Sequence, residues 1–276
     1  MMKLIADSSA NLTMLEGVTY QSVPMTIRAG ERDFVDDETL DTHELLDYLA
    51  AHNGKSGTAC PSLDGWLKAF EGADEIFVIT ITSSLSGTCA SAMAARDVYL
   101  QSHPEVKIHI FDTLSTGPEM QLLAEKLAEL HAKGLPFDVV CEKAQEYLAT
   151  THLFFSLKSL HNLAQNGRVS KIVAGAIGIL GIQILAKASE QGTIEPVEKC
   201  RGDKKARNAL VDQMYRFGYR GGKVRIHHAE NPETAGALAA ALRDRFPWTE
   251  IEIRPCTGLC SYYAERGGVI VGFETA

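Results

Sequence analysis

Residues 75–112, EIFVITITSSLSGTCASAMAARDVYLQSHPEVKIHIFD, decide the fold class. Two runs rich in β-branched and aromatic residues, Glu75–Thr82 and Lys107–Asp112, flank a helical pattern over Gly87–Leu100. Strand, helix and strand in that order predict parallel strands joined by a crossover helix. Working towards the N-terminus, Ser62 is placed to cap a short helix ending at Phe70, Thr42–Ala51 has helical periodicity, and Lys3–Asp7 and Ser22–Arg28 read as strands. Towards the C-terminus, Pro118–Lys133 is a helix with proline in its first turn, and Phe137–Thr150 is a second amphipathic one.

Beyond residue 150 the pattern changes. His152–Leu157 reads as a strand, followed by a short helix to Gln165 that Asn166-Gly167 stops. Ile182–Ala188 and Thr193–Lys199 flank Ser189-Glu190-Gln191-Gly192, a hairpin signal. Helices over Asp203–Phe217 and Pro232–Phe246 then alternate with strands Lys223–His228, Glu250–Arg254 and Val269–Glu274. The expectation is an α/β protein of two domains. Residues 1–150 form an N-terminal, mostly parallel sheet flanked by helices, and residues 151–276 form a C-terminal mixed-sheet α/β domain.

With 45% hydrophobic and 22% charged residues, the 276-residue chain can build a large core. A net charge of −8, and no run of lysine or arginine longer than two, argue against nucleic acid and anionic membranes as partners. The longest apolar stretch, Ile172 to Ala186, is 15 residues, below the roughly 18 to 20 needed to span a bilayer. Stable membrane insertion is not expected. The start, Met1-Met2-Lys3-Leu4-Ile5-Ala6-Asp7, lacks the apolar run of a signal peptide, and six scattered cysteines without a CxxC pair suit reduced thiols. A cytoplasmic protein is expected.

Three strand ends carry small hydroxyl residues: Asp7-Ser8-Ser9, Thr82 through Thr88, and Asp112-Thr113. Taken singly these could merely cap helices; together, at the carboxyl edge of a parallel sheet, they point to a binding cleft. An enzyme acting through Asp7 (a phosphotransferase) or through the Ser83–Ser86 cluster (a hydrolase) is the competing reading. Against it, the chain lacks G-x-G-x-x-G after its first strand, any G-x-x-x-x-G-K-[ST], and a G-x-S-x-G elbow. His227-His228, adjacent on a strand, face opposite sides, and Cys256-x-x-x-Cys260 lacks further ligands, so no metal site is expected. The pair of cysteines is better explained as small residues in a tight turn. Glycines at 175, 178 and 181 interrupt an otherwise aliphatic helical pattern from Ser170 to Gly181. Interior glycine costs roughly 1 kcal/mol against alanine, so these permit close approach of a backbone or of a slim apolar ligand.

The motif order resembles the DegV family. Asp7-Ser8-Ser9, Thr58-Ala59-Cys60-Pro61-Ser62 and Ser84-Leu85-Ser86-Gly87-Thr88 are similar to that family's D-S-[ST], T-S-Q-P-S and S-x-L-S-G-T. Asn166-Gly167-Arg168-Val169-Ser170-Lys171 and Arg201-Gly202-Asp203-Lys204-Lys205-Ala206 continue the match. The resemblance implies a protein without catalytic residues or cofactor that holds a long-chain fatty acid between two α/β domains. In bacteria with the matching fatty-acid kinase, such a protein presents the carboxylate for phosphorylation. Carried over by position, the carboxylate site comprises Thr58, Ser86, the Gly87 amide and Cys256, which stands where the family often has histidine. The acyl tunnel comprises Ile177, Gly178, Leu180 and Gly181, and Arg168 and Arg201 face the partner. This chain departs from the family at Ala59, Cys60 and Cys256.

Overall fold

The computed structural model describes residues 1–170 and 181–275. A first sheet is wholly parallel: β1 (Met2–Asp7), β2 (Thr19–Val23), β6 (Glu75–Thr80) and β7 (Lys107–Asp112) lie in the order β2-β1-β6-β7. Neighbouring residues of its inner strands are buried on opposite faces. Leu4 and Phe77 pack with α4 (Pro118–Ala132) and α5 (Phe137–Leu148), while Ile5 and Val78 pack with α2 (Leu63–Phe70) and α3 (Thr88–Tyr99). A strand covered on both sides is apolar throughout rather than alternating.

The second large sheet uses only strands from the latter half: β8 (Thr151–Leu157), β9 (Ile182–Ala188), β10 (Ile194–Arg201), β11 (Gly222–His228), β12 (Thr249–Pro255) and β13 (Val269–Glu274). Their order is β10-β9-β8-β13-β11-β12, with β11 and β12 the parallel pair. One face packs on α7 (Asp203–Arg216) and α8 (Pro232–Arg245), and the other turns towards the first half of the chain. The expected α/β class, one parallel and one mixed sheet, is what the structure has.

Three elements differ from expectation. Ser22–Arg28 is two strands, because Pro24 has no N–H for a ladder and the Met25 N–H donates to Ser8 Oγ (3.1 Å). The chain then leaves the parallel sheet. Its continuation, β3 (Thr26–Ala29), joins β4 (Arg32–Val35) and β5 (Ser56–Ala59) in a small antiparallel sheet beside α1 (Thr42–Ala51). Finally, the turn expected at Cys256–Cys260 starts a helix, α9 (Gly258–Ala264). Its first amides are held by a distant carboxylate: Gly258 N and Leu259 N donate to Asp36 at 2.6 and 2.9 Å. An anion at a helix start satisfies N–H groups that have no intrahelical partner.

Helix α4 joins the halves. Its apolar side belongs to the first core, yet its polar side is also buried, against the second sheet. Glu125 makes a bidentate pair with Arg225 (2.7 and 2.6 Å), and Gln121 Oε1 accepts from His227 Nε2 at 2.8 Å. Asn11 Nδ2 donates to His227 Nδ1 (2.7 Å), so the imidazole is neutral; burial, with Arg254, His228 and Arg225 nearby, pushes its pKa down to about 3. Gly272, mid-way along β13, lets α4 approach: a Cβ there would lie 2.7 Å from Glu119 N and from the Pro118 carbonyl carbon.

Glu119 accepts from Ser115 Oγ and from Thr151 Oγ1 (2.6 Å), and burial pushes its pKa up from 4.5 to about 7. In the unfolded chain the carboxyl has released its proton by pH 6, whereas the native state still holds it. Stability therefore falls as pH rises through that interval. Between pH 4.5 and 7.5 this group should remove on the order of 2–3 kcal/mol. Asp7, raised to about 6 by burial, titrates in the same window. The Glu119→Gln variant isolates the Glu119 share: urea unfolding at pH 5 and pH 8 should show a smaller pH loss than the parent. Equal losses in both proteins would place the Glu119 titration elsewhere.

Candidate functional site

The hydroxyl-rich strand ends divide into scaffold and cavity wall. Asp7 is fully buried and accepts from Ser9 N (3.0 Å), Ile81 N (2.7 Å) and Ser9 Oγ, tying β1 to β6. With its carboxylate sealed and occupied, Asp7 is not placed to accept a phosphoryl group. In the serine cluster, Ser83 N donates to Asp112 Oδ1 (3.0 Å) and Ser84 Oγ to the Gln191 carbonyl (2.5 Å). Among the described residues no histidine is hydrogen-bonded to the cluster, so the hydrolase reading lacks its base.

Between the two halves lies a cavity whose lining residues come from both. Leu153, Phe155 and Leu157 line it from β8; alternate residues of a strand share a face. Ile270 of β13, Ile194 of β10 and Leu163 of α6 (His161–Gln165) extend this apolar wall.

The polar part of the lining comes from both halves. Thr58 on β5 and Ser86 before α3 both line the cavity. Thr58 Oγ1 is 2.9 Å from Tyr263 Oη, and Ser86 Oγ is 2.8 Å from Thr88 Oγ1. Gly87 is the exposed residue preceding α3 and adjoins Ser86. Arg168 also lines the cavity: its Nε donates to the Leu85 carbonyl (3.0 Å) and its Nη1 to the Asn166 carbonyl. Among the described residues no carboxylate pairs with it. The guanidinium is thus a cation on a mostly apolar wall.

Other expected site residues stand apart. Cys256 is 3% exposed and is not among the lining residues; its N–H donates to the His228 carbonyl (2.9 Å), and burial holds its thiol well above the ordinary range. The sulfur that lines the cavity is Cys260, in α9, whose thiol burial pushes up to about 12. Gly181 opens β9 with φ +79° and gives its carbonyl to Gly202 N (2.9 Å); it too is not among the lining residues. Ile177, Gly178 and Leu180 lie outside the described residues. Arg201 is exposed at the end of β10 away from cavity-lining Ile194. Tyr263 has no sequence signal because its helix has none, and Cys260 stands in the sequence only as the second cysteine of an expected turn; Thr116, also in the wall, follows the Asp112-Thr113 strand end.

The β9–β10 hairpin closes one side. Its tip reaches the first half, where Thr82 Oγ1 donates to the Gly192 carbonyl (2.9 Å). Gly192 has φ +73°, and a Cβ on it would fall 2.1 Å from Thr82 Oγ1 and 2.9 Å from Leu114 Cα. Among the described residues, no group of three or more His, Cys, Asp or Glu could hold a metal ion. No described helix is long and apolar enough to cross a membrane.

A family model described as "Uncharacterised protein, DegV family" matches residues 1–275. The chain belongs to the DegV family. A DegV domain-containing protein of Streptococcus pneumoniae is 42% identical over 276 residues, covering 99% of this chain and 98% of the relative. A DegV family protein from Eubacterium eligens, solved loaded with heptadecanoic acid, is 47% identical with a TM-score of 0.99, over 100% of both chains. The Streptococcus pneumoniae Fatty Acid Kinase (Fak) B3 protein, solved loaded with linoleic acid, is 42% identical with a TM-score of 0.98, over 100% of this DegV chain and 99% of the other.

Proposed function

We propose that this DegV protein is a non-catalytic carrier that binds one long-chain fatty acid in the cavity between its halves, residues 1–150 and 151–276. The observation that carries this reading is the cavity wall itself, apolar over β8 and β13 and ending at Thr58, Ser86 and Arg168. An amphipathic chain with an anionic end matches that division. Burying a methylene is worth about 0.8 kcal/mol, so a C16 tail offers on the order of 10 kcal/mol before the costs of binding. With a net charge of −8 the protein repels an anion at long range, so local donors must hold the headgroup. Thr58, Ser86 and the Gly87 amide supply hydrogen bonds, and Arg168 supplies charge. The relatives loaded with heptadecanoic and linoleic acid support this ligand class.

The likeness to the Fatty Acid Kinase (Fak) B3 protein supports a further step, presentation of the carboxylate to a fatty-acid kinase in the cytoplasm. Gly87 is exposed beside half-buried Ser86, so that end of the site is open to a partner, and exposed Arg201 offers a second contact.

Protein purified from cells should yield close to one long-chain fatty acid per chain by mass spectrometry of an organic extract. Delipidated protein should rebind palmitate or oleate in a fluorescence displacement assay. Failure to bind either acid removes the reading.

A further inference from the structure

Each hydroxyl assigned to the carboxylate touches a second hydroxyl behind it. Thr88 is fully buried, and its Oγ1 lies 2.8 Å from Ser86 Oγ, which also accepts the Thr88 N–H at 3.3 Å. A buried hydroxyl needs an acceptor for its proton, and Ser86 Oγ is the one at hand. With two donors from Thr88, Ser86 turns its own proton away from the helix, on the side where it lines the cavity. Tyr263 repeats the arrangement on the opposite segment. Its ring packs where three apolar clusters meet, and its Oη lies 2.9 Å from Thr58 Oγ1. A phenol is a stronger acid than an aliphatic alcohol and so the better donor of the two, which frees the Thr58 proton.

We propose that Tyr263 and Thr88 are positioning residues for the fatty-acid headgroup: each donates to a first hydroxyl, Thr58 or Ser86, which in turn donates to the carboxylate. The inference rests on the fatty-acid reading above. Its physical basis is cooperativity: an O–H that accepts a hydrogen bond is polarised and donates a stronger one, most of all to an anion in a water-poor site. The backing residues also fix the direction of hydroxyls that would otherwise rotate. Thr88 is not among the lining residues, and the ring of Tyr263, which does line the cavity, is kept in Tyr263→Phe, so the tail should not register the loss of either hydroxyl.

Two ligands with the same tail separate the ideas: palmitate, and hexadecanol with its uncharged head. Delipidated parent, Tyr263→Phe and Thr88→Val are compared by displacement, and the bound carboxyl is titrated by NMR with [1-13C]palmitate. Each variant should bind palmitate about five-fold more weakly, with less than about a two-fold change for hexadecanol. The carboxyl midpoint should move up, because the anion loses stabilising donors, and Thr88→Ser should restore the parent values. Equal losses on both ligands, or an unmoved midpoint, overturn the relay and leave fatty-acid binding intact. A parent that binds no palmitate overturns the fatty-acid reading and the relay with it. Should Thr88→Val fail to fold, the Tyr263→Phe comparison decides.

Discussion

Gly272→Ala should destabilise the protein by about 3 kcal/mol, the upper range for overpacking a well-filled interior. In an ordinary strand the same change would help slightly, because alanine loses less chain entropy than glycine on folding. Here the new methyl meets backbone: Glu119 N and the Pro118 carbonyl carbon at 2.7 Å, and the Pro118 oxygen at 2.9 Å. Neither side can yield cheaply. β13 lies between β8 and β11 within the sheet, and α4 is anchored by Glu125 to Arg225 and by Gln121 to His227. Urea unfolding of parent and variant measures the effect; a loss below about 1 kcal/mol would mean that α4 moves away from the sheet at little cost.

Removing both first hydroxyls should weaken fatty-acid binding about 100-fold. A hydrogen bond to a charged group contributes roughly 1.5–3 kcal/mol, so Thr58→Ala and Ser86→Ala should each cost about ten-fold. The two residues sit on separate segments, β5 and the loop before α3, so losing one need not displace the other. Displacement titrations of the double variant test this. A loss smaller than about five-fold would place the carboxylate against Arg168 rather than between the hydroxyls.

What could be read from the chain depended on how local its determinants were. Helix Thr42–Ala51 and strands Lys107–Asp112, Ile182–Ala188 and Val269–Glu274 were legible to the residue, because periodicity and capping lie within each segment. The small sheet was not, since β4 and β5 are four residues each and polar enough to pass for loop. Helix α9 was hidden for another reason. Its start is held by Asp36, more than 200 residues earlier, and no local pattern announces a cap supplied from that distance. That helix carries Tyr263 and Cys260, the sulfur that lines the cavity; Cys256, carried over from the family's histidine position, lies four residues before it and is not among the lining residues. Thr58 and Ser86, which line the cavity, could be singled out because motif resemblance carries positional information that composition lacks. The buried polar side of α4 was invisible too: Glu119, Gln121 and Glu125 look like a solvated face until a second sheet covers them.

Hairpin tips are usually where chains tolerate insertions and deletions, because nothing packs on them. The Ser189–Gly192 turn is an exception. Gly192 has Leu114 Cα within reach of a single added carbon, and the carbonyls of Gln191 and Gly192 are both taken by hydroxyls across the cleft. Its length is therefore matched to the gap it closes: an extra residue would lift the β9–β10 wall from the cavity, and a missing one would leave Thr82 and Ser84 without their acceptors. For anyone engineering this scaffold, by circular permutation, fusion or loop grafting, this turn is the tip to leave untouched.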